Sequence, residues 1–89
     1  MHISIDQKKK YLNRRIEEIE TLKRCIKISD FDLAGNIGHK LKGNGVTFGF
    51  PEISVIGNRI EQAASERNQL SLVKSIEEFI VIMKSIIES

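Results

Sequence analysis

Cysteine, proline and tyrosine each occur once in these 89 residues, and tryptophan not at all. A single cysteine, Cys25, permits no internal disulfide, so packing and hydrogen bonds must hold the fold and a reducing compartment suits it. A single proline, Pro51, leaves long stretches on either side free to be helical. Aromatic residues make up only 6% of the chain, so any core must be mainly aliphatic. No apolar run approaches the ~20 residues that cross a bilayer. The first residues have neither the apolar segment nor the small-residue cleavage site of a secretory signal. A soluble, cytoplasmic chain is expected.

What is present fits that expectation. A hydrophobic fraction of 40% and a charged fraction of 29% are ordinary for a globular domain. The length predicts one domain over residues 1–89, and a chain of this size buries only about 60–65% of the surface that its unfolded form exposes. The net charge of +2 is unevenly spread. Residues 1–45 carry ten Lys/Arg against six Asp/Glu, and residues 46–89 carry four against six. Lys8, Lys9, Lys10, Arg14 and Arg15 could attract phosphate or an acidic partner. Glu17, Glu18 and Glu20 interrupt the cluster, so it reads as a solvated helix face, with neither nucleic acid nor membrane expected as a partner. Cys25, next to Ile26, reads as a half-buried small hydrophobe.

Apolar residues recur at three- and four-residue steps, which is helical spacing. Leu12, Ile16, Ile19, Leu22 and Ile26 mark a first helix, with Asp6 as its expected N-cap. Ile28-Ser29-Asp30 reads as a turn whose Ser29 or Asp30 caps a second helix carrying Leu33/Ala34, Ile37, Leu41 and Phe48. Gly49-Phe50-Pro51 reads as a boundary, glycine closing one helix and proline opening the next. Ile53, Ile56, Ile60 and Ala63/Ala64 line the third helix. After a break near Asn68, Leu72, Val73, Ile76, Phe79, Ile80, Met83 and Ile87 line the fourth. Short connections predict an all-α, antiparallel up-down-up-down four-helix bundle.

Five of the six glycines fall within residues 35–49, around His39. Each costs a helix about 1 kcal/mol relative to alanine. At about 100° per residue, with His39 at 0°, Ile37, Leu41, Ala34 and Phe48 all lie on the opposite side. The imidazole therefore faces outward. Gly35 and Gly43, one turn before and after it, share its face, with Asn36 and Lys42 flanking, so a partner can approach closely. Val46 falls within about 20° of His39 on the same wheel and reads as an exposed apolar contact. Lys42, at i+3, is placed to meet an anion held on the imidazole. Gly38 lies to the side, suited to close helix–helix contact. His2 is assigned no role.

His39-Lys40-Leu41-Lys42-Gly43-Asn44-Gly45-Val46-Thr47-Phe48-Gly49 resembles the signature of histidine-containing phosphotransfer (HPt) domains. That pattern is a histidine, any residue, an apolar residue, Lys-Gly, a small pair, then an apolar residue with glycine. Asp30-Phe31-Asp32-Leu33 is similar to the acidic-aromatic start of the family's histidine helix, and Ile60-Glu61-Gln62-Ala63-Ala64 to its apolar-Glu segment on the next helix. The resemblance runs from about Tyr11 to Ile87 and is most specific between Asp30 and Ala64. Gly38 stands where the family more often has alanine.

The resemblance implies a four-helix bundle that carries a phosphoryl group on a histidine and relays it to or from receiver-domain aspartates, in a two-component phosphorelay. His39 matches the phosphoryl acceptor, Lys42 the lysine near the phosphoryl group, Gly43 the glycine that keeps the approach open, and Glu61 the residue that hydrogen-bonds the imidazole. A carboxylate accepting from Nδ1–H would leave Nε2 free to attack. Gly35, Asn36, Gly43 and Val46 would surround the docking partner, a response-regulator receiver domain or a hybrid histidine kinase. No glycine loop for nucleotide phosphates and no metal-ligand motif is evident. The chain is thus expected to be no enzyme by itself, to bind no cofactor or metal, and to depend on Mg²⁺ only in the partner receiver domain. A monomer is expected. The competing reading is a non-catalytic helical interaction or dimerisation module, with the wide apolar stripe of the last helix as its interface.

Overall fold

Ser4 starts the first helix, two residues ahead of the expected Asp6. The computed structural model describes residues 2–89, which form four helices and no strand. In α1 (Ile5–Ile28) the Ser4 hydroxyl accepts the Gln7 N–H at 3.1 Å, and the Gln7 side chain accepts the Ser4 N–H at 2.9 Å. This reciprocal box satisfies two amides that a helix start otherwise leaves unpaired. Asp6 has Lys9 three residues on and so no such reciprocal acceptor. It sits in the first turn instead, where its charge meets the positive end of the helix dipole.

Ser29 closes α1 in the left-handed conformation at φ 55°, and Asp30 then caps α2 (Phe31–Asn44), its carboxylate accepting the Leu33 N–H at 3.0 Å. α2 stops short of Phe48. Gly43, Asn44 and Gly45 are weak helix formers, and the Ser54 hydroxyl captures the Val46 N–H at 2.8 Å. The next residues run through tight turns. Gly49 supplies the left-handed residue (φ 88°) ahead of Phe50, a different role from the expected one of ending the helix. Pro51 opens α3 (Pro51–Ser65), and Asn68 caps α4 (Gln69–Glu88) by accepting the Ser71 N–H at 3.0 Å.

Leu22, Leu41, Ile53, Ile56, Ile60, Leu72, Ile76, Phe79 and Met83 form the solvent-free centre. The inner face of α1 is rotated from the expected stripe. Tyr11, Arg15, Ile19, Leu22 and Cys25 point inward, Leu12 and Ile26 pack at the edge, and Ile16 is 43% exposed. The Arg15 guanidinium accounts for the rotation: it stacks 4.3 Å above the Tyr11 ring, which in turn stacks on Phe48 with centroids 4.4 Å apart. Cys25 is fully buried, and Ile87 lies outside the core in the last turn of α4.

α1 packs on α2 and α4, and α3 packs on α2 and α4, while among the described residues the α1/α3 and α2/α4 pairs do not approach. Tyr11 near the start of α1 hydrogen-bonds Asn44 at the end of α2, and Gly35 near the start of α2 faces Ala64 near the end of α3. Arg59 joins α3 to Glu78 of α4 at 2.6 Å, and Gln69 at the start of α4 donates to the Ile26 carbonyl of α1 at 2.9 Å. Among the described residues no helix is long and apolar enough to cross a membrane.

Candidate functional site

The candidate site grows from the place where α2 and α3 touch backbone to backbone. A Cβ built on Gly38 would lie 2.6 Å from the amide nitrogen of Glu61 and 2.8 Å from the Gly57 carbonyl oxygen. A Cβ on Gly57 would lie 2.5 Å from the amide nitrogen of Lys42. Only glycine permits this approach. It carries the backbone of Glu61 up against the residue preceding His39, so a side chain from α3 reaches around to the imidazole.

His39 stands on the outside of α2 with its side chain 73% exposed, and its Nδ1 is 2.7 Å from Glu61 Oε2. An ionised carboxylate can only accept, so Nδ1 carries the proton and donates. In the neutral ring Nε2 then holds the free lone pair. Among the described residues no side chain bonds Nε2, which points to solvent-accessible space at an exposed residue. Lys42 Nζ lies 3.6 Å from Glu61 Oε1, so the two carboxylate oxygens are divided between an imidazole and an ammonium. Glu61 is the least exposed of the three, at 31%, which strengthens its field at the ring relative to bulk water.

Gly35, Asn36, His39 and Glu61 line one side of an open hollow of about 360 Å³. Gly43 has nothing within 4 Å of where a Cβ would sit, so the space above His39 is open. Gly35 differs: a Cβ there would make ordinary contact with the Ala64 methyl at 3.4 Å, so it forms part of the hollow's floor. Val46 is 63% exposed but lies beyond the end of α2, and lines a separate hollow with Thr47, Phe48, Gly49 and Lys8. The helical wheel does not extend past Asn44, which is why Val46 parts from His39.

The far side of the His39 hollow holds residues that periodicity did not single out. Arg67, in the left-handed conformation (φ 53°) between α3 and α4, pairs with Asp32 at 3.2 Å and sits 5.8 Å over the Phe31 ring. A lone arginine after a helix carries no pattern that could have announced it. Among the described residues no three His, Cys, Asp or Glu side chains converge as a metal-binding group. The Cys25 thiol is pushed above its ordinary value, first by burial and then by the Asp30 carboxylate, and lies in the core, away from the hollow. No family model, curated protein or solved structure matched the chain in comparison.

Proposed function

We propose that this chain is a histidine phosphotransfer protein, an antiparallel up-down-up-down bundle that carries a phosphoryl group on His39 and exchanges it with receiver-domain aspartates. The observation that carries the reading is the exposed imidazole whose Nδ1 is held by a carboxylate while Nε2 is left open. The pairings of Tyr11 with Asn44, Gly35 with Ala64 and Gln69 with Ile26 join the start of one helix to the end of another, in keeping with the bundle.

The chemistry follows from the geometry. The Nε2 lone pair attacks phosphorus of an aspartyl phosphate, the P–O bond to aspartate breaks, and the carboxylate leaves with the bonding pair. No proton need move, because Nδ1 already carries it. The ring becomes cationic, and the Glu61 carboxylate at 2.7 Å offsets that charge, as an orienting acid does beside other catalytic histidines. Lys42 leaves its long contact with Glu61 to meet the phosphoryl oxygens. Return to an aspartate is the reverse. Mg²⁺ resides in the receiver's acidic pocket and supplies charge neutralisation from that side. The protein acts as a monomer in the cytoplasm, takes no cofactor, and does not phosphorylate itself.

His39→Gln tests the reading. The variant should keep the helical circular dichroism of the parent yet take up no label from a phosphorylated receiver domain. Uptake that survives the substitution refutes the assignment.

A further inference from the structure

We propose that a second site, a groove between α1 and the end of α2, binds a phosphate-bearing ligand. The groove has a volume of about 410 Å³ and lies beside the Tyr11–Phe48 stack, apart from the residues that line the His39 hollow.

Its polar lining is rich in donors. Gln7 presents a carboxamide, but its oxygen already accepts the Ser4 N–H in the capping box. Asn44 presents another, whose oxygen accepts the Tyr11 hydroxyl. Each amide therefore has its acceptor engaged and its NH₂ group left to donate. Lys10 and Arg14 add two cations with no ion pair among the described residues.

Arg15 completes the set and is the least expected member. It is 5% exposed, and its Nε sits 2.6 Å from Glu18 Oε1 without the alignment of a hydrogen bond. Apart from that carboxylate its contacts are with Tyr11, whose ring it overlies at 4.3 Å and whose hydroxyl it also reaches. Glu18 already meets the Nε edge of this guanidinium, while Nη1 and Nη2, which are not fully buried, remain as donors to an anion in the groove. Three cations and two amide donors against one carboxylate leave the groove with an excess of two positive charges. A phosphate, with a charge near −2 and several acceptor oxygens, matches both the charge and the donor-rich lining. Lys8 lies elsewhere, over the Phe50 ring and in the hollow with Val46 and Thr47.

The test is an amide chemical-shift titration of the 89-residue chain with pyrophosphate, against sodium chloride at equal ionic strength. Saturable shifts are expected at Tyr11, Arg15, Asn44 and Phe48. Lys10→Gln combined with Arg14→Gln, both exposed positions that should not disturb folding, should weaken binding by about tenfold or more through the loss of two charge-assisted contacts. Vesicles bearing a phosphomonoester lipid form the other arm. Tighter binding there than to free pyrophosphate supports the groove and assigns the phosphate to a lipid headgroup, and weaker binding supports a soluble ligand. Shifts no larger than those in the salt control, or binding unchanged in the double variant, overturn the proposal. His39→Gln should leave this binding intact, so failure here is distinct from failure of the phosphotransfer reading.

Discussion

Gly38→Ala and Gly43→Ala make the same chemical change five residues apart on one helix, and they should have opposite effects. At Gly43 the new methyl meets nothing within 4 Å. Only the helix propensity and the reduced freedom of the unfolded chain remain, and these stabilise by about 0.5–1 kcal/mol. At Gly38 the methyl would lie 2.6 Å from one backbone atom of α3 and 2.8 Å from another. Backbone cannot rotate away as a side-chain tip can, so the cost falls near the upper end of the roughly 1–3 kcal/mol seen for overpacked cores. Subtracting a propensity gain of about 1 kcal/mol leaves a net loss of about 2 kcal/mol. The two variants should thus differ by close to 3 kcal/mol. With a urea slope of about 1–1.5 kcal/mol per molar for a domain of this size, their midpoints should lie about 2 M or more apart. The atom that the Gly38 methyl strikes first is the amide of Glu61, so the helices must part at the point that sets the His39–Glu61 contact. Imidazole nitrogen shifts should then move toward an unbiased tautomer mixture in Gly38→Ala alone. A Gly38→Ala midpoint at or above that of the parent would refute the claim that backbone contact at this crossing positions the site.

Three further outcomes are expected. Cys25 should resist alkylation at neutral pH in the native protein and react at once in urea. Because its folded pKa is raised above the ordinary 9.0, the unfolded chain releases the proton first, so stability should hold below about pH 8 and decline as pH rises through 9 and above, with a shallower decline in Cys25→Ala. Ser4→Ala should lower stability by about 1 kcal/mol, whereas Asp6→Ala should cost only a few tenths, as compared in urea melts. Gly43→Leu should fold as the parent does but accept phosphoryl from a receiver domain more slowly, and unchanged transfer rates would count against a partner approaching over that position.

The number of helices and most of their inner faces could be read from spacing alone, because α3 and α4 bury one aliphatic stripe each and little else competes. α1 departed from the pattern, and the reason is a single side chain. Arg15 was counted as polar and therefore exposed, but its flat guanidinium lies on Tyr11 and is drawn inward with it, rotating Ile16 toward solvent. Periodicity counts a charged residue as an outside position and has no term for one that stacks. The end of α2 was misplaced for a similar reason. Ser54, eight residues ahead of Val46 in sequence, takes the amide that would have continued the helix. The outward direction of His39 was legible because it depended only on Ile37 and Leu41 lying opposite within the same helix. The neighbours that α3 brings to it were legible only through the resemblance, since Glu61 by periodicity is one more surface carboxylate. Arg67, which pairs with Asp32 at the hollow, had no signal of either kind, and Asp32 entered only within the acidic-aromatic start of the resemblance.

The glycine-rich stretch around His39 resolves into positions that do opposite things on the two sides of α2. Gly38 faces α3, as does Gly45, whose Cβ would lie 2.5 Å from the Ser54 amide nitrogen. These two bring the helices so close that side-chain repacking cannot adjust the gap, and stiffness follows from the contact being made by backbone. Gly43 faces outward and makes no contact at all. A side chain as exposed as His39 would ordinarily sample several rotamers and lose much of its orientational advantage in a transfer reaction. Here the stiff crossing fixes where Glu61 stands, and the carboxylate at 2.7 Å then fixes the ring, so orientation is supplied from the buried side of the helix and access from the open side. The two properties are therefore separable. A larger residue at position 38 should degrade stability and ring orientation together, while one at position 43 should degrade only the approach of a partner.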